Sequence, residues 1–300
     1  MELQTKVKIL PGEPKIHYGD KILLIGSCFT ENIGKRLEAG GFEVRMNPFG
    51  ILYNPISIVR CLDMCRKGEE LCGNELVERS HRWYSWWHHS DFSGDTREEC
   101  LERCNRAIRE TCAYMQGGVT VIVTLGTAWV YELENGEVVG NCHKMPAGMF
   151  RKRLLGIDEI VNAFQGGKFT PEDKIIFTLS PIRHWSEGAH QNQLSKATLL
   201  LAIEKILEER GSYFPAWEIM MDELRDYRFY EKDMLHPSEV ATDLIWERFQ
   251  EAYLEKDTCG KLRKYEQLYF MEHHQPRFPQ DEENSKLQKK IQQLKKELNT

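Results

Sequence analysis

A serine follows the first buried strand that the sequence predicts, at a position suited to a nucleophile. The apolar run Lys21–Ile25 is followed by Gly26 and Ser27, and a helix is predicted to begin within a few residues. Because the N–H groups at a helix start can bind an anion, Ser27 is our candidate nucleophile. The alternative is that Ser27 only caps the helix.

A serine nucleophile needs a general base, and the base needs a group that orients it. Among the ten histidines, His236 is best placed, because it lies between the last predicted strand and a long helix. Asp233 lies three residues earlier in a predicted tight loop, so one segment can supply both groups. The pattern D-x-x-H is common by chance, and it becomes informative only together with Ser27.

The alternation of strands and helices predicts an α/β fold, with three α/β/α layers around a mainly parallel sheet of about five strands. Strands are expected at residues 21–26, 42–46, 119–125, 174–179 and 213–221. Helices are expected at residues 96–115, 151–166, 194–209 and 239–254, and a hairpin at 130–139. The ligand crevice of such a sheet lies at the carboxyl ends of its strands, where Ser27 and three further polar loops would meet.

The composition excludes several classes of partner. The 300 residues carry 40 basic and 46 acidic side chains, and this net charge of −6 offers nucleic acid and anionic lipid no basic surface. Residues 1–8 lack the apolar stretch of a signal peptide, and no run approaches the roughly 18 apolar residues of a membrane span. We expect a soluble, cytoplasmic protein. The nine cysteines include no C-x-x-C pair, so free thiols are expected.

Three tryptophans and three histidines lie within residues 81–94. The favoured interpretation is a buried hairpin or lid that packs on the core, and the alternative is an aromatic platform for a sugar or acyl substrate. A metal-dependent hydrolase built on His88, His89 and His143 is a weaker hypothesis, because adjacent side chains rarely point the same way. We therefore expect neither a metal nor a cofactor.

The last residues differ in character from the rest of the chain. We divide it into a domain of residues 1–255 and a charged helical extension of residues 256–300. The extension repeats apolar residues at coiled-coil spacing over less than two heptads, at Leu287, Ile291, Leu294 and Leu298. This tail helix is expected either to be solvated or to join two copies of the chain in a homodimer.

A serine at the first strand–helix turn and a D-x-x-H before the last long helix together resemble the SGNH (GDSL-like) hydrolases. Residues 26–30, Gly-Ser-Cys-Phe-Thr, differ by one residue from the GSCFA signature that names a family within that group. Four further blocks are similar to that family, at residues 47–50, 126–131, 141–144 and 180–184. The resemblance covers residues 5–255 and implies a flavodoxin-like strand order and a serine-dependent hydrolase or acyltransferase site.

Carried over to this chain, the resemblance implies Ser27 as nucleophile, His236 as base and Asp233 as the group that orients the base. Cys28 is a rival nucleophile, since a thiol is intrinsically more reactive and this one also lies near the helix start. Its side chain is expected to point into the interface between sheet and helix, where a small apolar group packs well. We therefore prefer Ser27.

The resemblance also implies an oxyanion hole made by the N–H groups of Ser27 and Gly50 and by a third donor. The asparagine of the group's Gly-x-Asn-Asp block is missing here, because residues 126–129 are Gly-Thr-Ala-Trp. Thr127 or Asn141 could replace it, and the sequence leaves that choice open. The replacement matters, because losing one such donor typically costs about 2.7–4 kcal/mol of transition-state stabilisation.

Substrate contacts are expected from side chains in the same loops, namely Asn47, Trp129, His143, Lys144, Arg183 and His184. The cations among them favour an anionic or highly polar substrate, although salt bridges on the rim would explain them equally. The resulting hypothesis is a serine esterase or acyltransferase that acts on a short, acetyl-like ester of a carbohydrate-like or other polar molecule. The alternative is a non-catalytic carbohydrate-binding or interaction module on the same fold.

Overall fold

The computed structural model describes residues 5–166, 168–273 and 282–298. Within them lie ten strands, which are β1 (Lys21–Gly26), β2 (Glu43–Met46), β3 (Leu76–Arg79), β4 (Arg82–Ser85), β5 (Thr120–Leu125), β6 (Trp129–Glu132), β7 (Val138–Val139), β8 (Arg151–Leu154), β9 (Lys174–Leu179) and β10 (Ser212–Phe214). The central sheet has the order β2-β1-β5-β9-β10, and all of its strand pairs are parallel. This is the flavodoxin-like order, so the predicted α/β fold is confirmed.

The described residues also form nine α-helices, which are α1 (Phe29–Ala39), α2 (Pro55–Lys67), α3 (Arg97–Tyr114), α4 (Ile157–Phe164), α5 (Gly188–Leu207), α6 (Ala216–Glu218), α7 (Glu239–Tyr253), α8 (Lys256–His273) and α9 (Glu282–Leu298). Residues from α2 to α5 belong to the core on one face of the sheet. Residues from α1, α6, α7 and α8 belong to the core on the other face. The sheet therefore lies between two helical layers.

The two cores are built by the two-residue period of the strands. In β1, Leu23 and Ile25 belong to one core, whereas Ile22 and Leu24 belong to the other. All four side chains are fully buried, which is why this strand reads as an unbroken apolar run rather than as an alternating one. The strand order reverses between β1 and β5, and this switch point is where open α/β sheets bind ligands.

Two smaller antiparallel sheets accompany the central one. β3 and β4 form a hairpin, and β6 lies between β7 and β8 in a three-stranded sheet. The predicted hairpin at residues 130–139 is confirmed, with Gly136 at φ +83° in its turn. The segment between β7 and β8 covers one side of the switch point and supplies part of the cavity described below.

Two predicted elements were wrong. The helix expected at 151–166 is strand β8 followed by α4, because Arg151 and Arg153 bind the buried carboxylate of Glu132 across the sheet and Gly156 ends the strand segment. The strand expected at 213–221 ends at Phe214, since Pro215 cannot continue the ladder and the chain then turns helical.

The tail helix α9 packs on α8. Its apolar residues Leu287, Ile291, Leu294 and Leu298 meet Tyr265, Leu268 and Met271 of α8. α8 in turn places Leu262 in the core beside α1, so the tail is attached to the domain through α8. Among the helices of the described residues, none is both long enough and apolar enough to cross a membrane.

Candidate active site

The turn after β1 depends on one glycine and places Cys28 at the start of α1. Gly26 has φ +141°, and a Cβ there would lie 2.1 Å from the carbonyl oxygen of Thr124. The Ser27 N–H donates to that same oxygen at 3.1 Å, so Ser27 still follows β5. Cys28 then takes the position that precedes the first residue of α1.

Cys28 and His236 lie 208 residues apart in the chain, and their side chains face each other in the structure. The Cys28 Sγ lies 3.9 Å from Nε2 of His236. The imidazole Nδ1 binds one carboxylate oxygen of Asp233 at 2.5 Å, and the other oxygen accepts the His236 N–H at 3.0 Å. A thiol, an imidazole and a carboxylate in this order form the arrangement of a nucleophile, a general base and an orienting group.

The surroundings of Asp233 and Cys28 shift their pKa values in opposite directions. The N–H groups of His236 and Leu235, together with the imidazole, lower the pKa of Asp233 to about 2. Burial raises the pKa of the Cys28 thiol, although the N–H groups of Cys28 and Phe29 act in the other direction. Asp233 therefore stays ionised and can hold the imidazole, whereas Cys28 needs a base to lose its proton.

Ser27, the predicted nucleophile, is fully buried, and its Oγ has no hydrogen-bond partner among the described residues. The structure brings Asp233 and His236 together, but the side chain that faces Nε2 of His236 is Cys28. The reason lies in the turn. The Ser27 N–H is still hydrogen-bonded to the neighbouring strand β5, whereas Cys28 is the first residue beyond the sheet.

Arg183 holds the loop that carries the base. Its N–H donates to the carbonyl oxygen of Leu235, and its guanidinium donates to the carbonyl oxygen of Met234. The guanidinium also lies 4.6 Å from the ring centroid of Tyr230, and the Glu231 N–H donates to the His236 carbonyl at 2.8 Å. Arg183 therefore helps to hold the loop that carries His236, and its contact with substrate stays a prediction.

Two of the predicted oxyanion donors, the N–H groups of Ser27 and Gly50, already donate to carbonyl oxygens of the protein. The Ser27 N–H binds Thr124, and the Gly50 N–H donates to the carbonyl oxygen of Asn47 at 2.7 Å. Asn47 in turn accepts the Gly26 N–H through Oδ1 at 2.9 Å, and its buried Nδ2 has no partner among the described residues. Asn47 therefore stabilises the turn between β1 and α1 that carries Cys28.

The two alternatives for the third donor are also partly engaged. The Thr127 hydroxyl lies 3.0 Å from that of Ser195 and accepts the Trp129 N–H at 3.1 Å. Asn141 accepts the His143 N–H through Oδ1 at 2.8 Å. Both residues line the cavity, so the choice between them stays a prediction.

A cavity of about 430 Å³ lies at the carboxyl edge of the sheet. Its walls are largely aromatic and apolar, and they come from the loops after β2, β5 and β9, from the small sheet of β6, β7 and β8, and from the segment between β7 and β8. The wall residues include Tyr53, Thr127, Trp129, Tyr131, Asn141, Met145, Phe150, Lys152 and His184. Burial raises the pKa of the Tyr53 hydroxyl, with a smaller contribution from the charge of Cys28.

Two buried nitrogens at the cavity wall have no partner among the described residues, His184 Nε2 and Trp129 Nε1. Burial, with smaller effects of Lys196 and His236, lowers the pKa of His184 to about 3, so this imidazole is neutral. A Cβ on Gly126 would lie 3.2 Å from His184 Nε2, so the glycine makes room for the ring.

The remaining predicted cations do not place free charge at the cavity. His143 is buried, with Nδ1 at 3.0 Å from the Ser90 hydroxyl and Nε2 at 2.7 Å from the Ser85 carbonyl oxygen. Lys144 is exposed and lies outside the cavity lining. The lysine that does line the cavity, Lys152, is paired with Glu187.

The aromatic cluster at residues 81–94 belongs to the fold. Trp86 and Trp87 are buried in the core beside the β3–β4 hairpin, in agreement with the favoured interpretation. His88 is fully buried, lies near the ring of Phe49 and bonds through Nδ1 to Ser85 at 3.0 Å. Within the described residues, no group of three or more His, Cys, Asp or Glu side chains is arranged to hold a metal ion.

Several cavity residues escaped the sequence analysis. Lys152 lies within the helix wrongly expected at 151–166, where the structure has β8, and Phe150 directly precedes that strand. Tyr53 lies in the rigid loop after the second strand, a position that the strand-end argument could have included. Cys28, which is not among the residues that line the cavity, was weighed as the rival of Ser27, and which of the two is the nucleophile stays a prediction.

The sequence profile of the GSCFA family matches residues 21–249. This segment makes up well over half of the chain and includes both the nucleophile turn and the Asp233–His236 loop. The chain belongs to the GSCFA family. A comparison with curated proteins finds no match.

Proposed function

We propose that this member of the GSCFA family is an SGNH-type esterase or acyltransferase that uses Cys28 as nucleophile, His236 as base and Asp233 as orienting group. The observation that carries the proposal is the 3.9 Å approach of Cys28 Sγ to Nε2 of a histidine whose Nδ1 is bound to a carboxylate. Ser27 remains the competing prediction for the nucleophile, and its full burial argues against it.

In the proposed reaction, His236 Nε2 takes the thiol proton of Cys28 and the thiolate attacks the carbonyl carbon of an ester. A carbon–sulfur bond forms, and collapse of the tetrahedral intermediate breaks the ester carbon–oxygen bond. The proton on His236 passes to the leaving alcohol. Water or another hydroxyl then attacks the thioester, which releases the acyl group and returns the proton to Cys28.

The start of α1 supports the stabilisation of negative charge at this place. The N–H groups of Cys28 and Phe29 interact with the thiol sulfur, and the positive end of the helix dipole lies there. The neutral His184 adds an imidazole whose buried Nε2 is unpartnered among the described residues. These groups are our candidates for the oxyanion site, alongside the predicted Thr127 and Asn141.

The cavity supports an uncharged polar substrate better than the anionic one that the sequence suggested. Its volume of about 430 Å³ falls within the usual range for small-molecule pockets. Its aromatic walls and the unpartnered nitrogens of Trp129 and His184 suit a carbohydrate-like group, with hydroxyls that can meet both nitrogens. The Lys152–Glu187 pair leaves little net charge on the wall.

Hydrolysis of p-nitrophenyl acetate by single variants tests the proposal. We expect Cys28→Ala and His236→Ala to abolish turnover. Ser27→Ala should retain it, because Ser27 Oγ is hydrogen-bonded to neither His236 nor Asp233. Mass spectrometry of the trapped acyl-enzyme should place the added mass on Cys28. An adduct on Ser27, or full turnover in Cys28→Ala, would overturn the assignment, and no turnover by the folded wild type would favour a non-catalytic binding module.

A further inference from the structure

Lys196 is a buried cation that neither the fold nor the proposed reaction accounts for. Its side chain is 1% exposed, on the helix α5. Its Nζ donates to the carbonyl oxygens of Gly126 at 2.9 Å and Ser180 at 2.8 Å and lies 4.8 Å from the ring centroid of Trp217. Its contacts among the described residues include no carboxylate, and an ammonium buried without a counter-charge normally costs several kcal/mol.

The Lys196 ammonium lies at the same edge of the sheet as Cys28. Cys28 follows Ser27, whose N–H binds the Thr124 carbonyl oxygen of β5, and the Gly126 N–H two residues further on binds the carbonyl oxygen of Tyr53. Neighbouring strands are about 4.8 Å apart, and Lys196 Nζ binds the Gly126 carbonyl directly. The ammonium therefore lies at the end of β5 and the thiol at the end of the adjacent strand β1, both at the carboxyl edge of the sheet.

The charges of the two groups act on each other in the direction that this proximity requires. Burial lowers the pKa of Lys196 to about 7, and the Cys28 thiolate raises it. Lys196 in turn lowers the pKa of Cys28, against the stronger effect of burial. The other ionisable groups near Cys28 are Glu31 on α1, Tyr53 after β2 and His236.

We infer that Lys196 is a positioning residue that supplies the counter-charge of the Cys28 thiolate at the end of β5. The inference rests on the proposed function only in taking Cys28 as the nucleophile. A thiolate beside an ammonium holds the same number of protons as a thiol beside a neutral amine, so formation of the thiolate in this pair leaves the net charge of the buried site at zero. The alternative is that Lys196 merely ties the ends of β5 and β9 through their carbonyl groups.

Alkylation of the full-length protein separates these roles. The rate at which iodoacetamide modifies Cys28 is followed by peptide mass spectrometry between pH 6 and pH 10, with the exposed Cys72 as internal reference. Lys196→Gln keeps an N–H donor for the carbonyl groups but removes the charge. We expect Cys28 to react about tenfold more slowly at neutral pH in this variant, with the Cys72 rate unchanged. An unchanged ratio in the folded variant would overturn the inference.

A reciprocal measurement leaves the lysine in place. In protein with ¹³C-labelled lysine, the Cε resonance of Lys196 is titrated by NMR in the wild type and in Cys28→Ala. We expect Lys196 to lose its proton at lower pH when the thiolate partner is absent, and an unchanged titration would contradict the pairing. Neither readout requires turnover, so failure of the ester assay would refute the proposed function without deciding this inference.

Discussion

Asp233 has the environment of an orienting group and not that of an acid. Its two oxygens receive the N–H groups of Leu235 and His236 and the Nδ1 of the same histidine. These donors stabilise the carboxylate, so its pKa falls to about 2 and it remains charged at any pH at which the protein would work. The carboxylate thereby fixes the tautomer that presents Nε2 to Cys28.

Asp233→Asn tests this role. The amide keeps the shape of the loop but does not stabilise an imidazolium, so we expect kcat on p-nitrophenyl acetate to fall by about two to four orders of magnitude. KM and the melting temperature should change little, because the side chain is half-exposed. A variant that retains wild-type kcat would show that His236 acts without Asp233.

Two buried histidines make stability depend on pH. Burial lowers the pKa of His88 and of His184 to about 3 in each case, whereas both titrate near 6.5 when unfolded. Between pH 6.5 and pH 3 both histidines are protonated in the unfolded chain but stay neutral in the native protein. The free energy of unfolding should therefore fall as the pH falls from 6.5 toward 3. The slope approaches about 1.4 kcal/mol per pH unit for each histidine.

His88→Phe removes the contribution of one of these histidines to the pH dependence of stability. Phenylalanine keeps the ring beside Phe49 but does not titrate, so we expect the loss of stability between pH 6.5 and pH 5 to shrink by up to about 2 kcal/mol. Urea unfolding of both proteins at the two pH values measures the difference. An equal loss in the variant and the wild type would show that His88 is not the titrating group.

At the level of elements, the strand–turn–helix unit of β1 and α1 depends on Gly26. The positive φ of this residue and its approach to Thr124 allow the chain to leave the sheet in the single residue before Cys28. Asn47 supports the same turn from the end of β2. The position of Cys28, the proposed nucleophile, therefore depends on three adjoining strands.

Gly26→Ala should disrupt this unit. The added Cβ meets the Thr124 carbonyl oxygen at 2.1 Å, so we expect a loss of more than about 2 kcal/mol in the free energy of unfolding. Gly260→Ala on α8 is the matched control, since nothing lies within 4 Å of its Cβ. That variant should gain about 0.5–1 kcal/mol from helix propensity. Equal stability of both variants, measured by urea unfolding, would refute the account of the turn.

At the level of the whole molecule, the C-terminal helices change the interpretation of the coiled-coil pattern. The apolar residues of α9 are already covered by α8, and α8 is anchored to α1 through Leu262. A repeat of less than two heptads thus finds its partner within the chain. The apolar residues that suggested a homodimer are thus covered within the chain, and the homodimer itself stays a prediction.

Ile291→Asp tests this arrangement. The side chain is 6% exposed between α8 and α9, so a carboxylate there should separate the helices and remove tail helicity. We expect light scattering to give a monomer for the wild type and circular dichroism to show the loss of helix in the variant. A wild-type dimer that the substitution converts to a monomer would restore the dimer hypothesis.

The sequence alone determined the features that depend on local pattern. The buried runs at β1, β5 and β9, the glycine at the first strand–helix turn and the D-x-x-H loop all follow from residue type and short-range spacing. They were enough to predict the parallel sheet and the pair Asp233 and His236. They also predicted that the polar loops meet at one edge, because parallel strands share their carboxyl end.

Only the tertiary structure decided which side chains meet across long distances in the chain. Cys28 and His236 are 208 residues apart, and our proposal of Cys28 rather than Ser27 as nucleophile rests on a turn held by Thr124. Lys196 is an ordinary polar residue in the sequence and becomes a buried cation only because α5 lies under the ends of β5 and β9. Contacts of this kind follow from packing, which a short-range pattern does not encode.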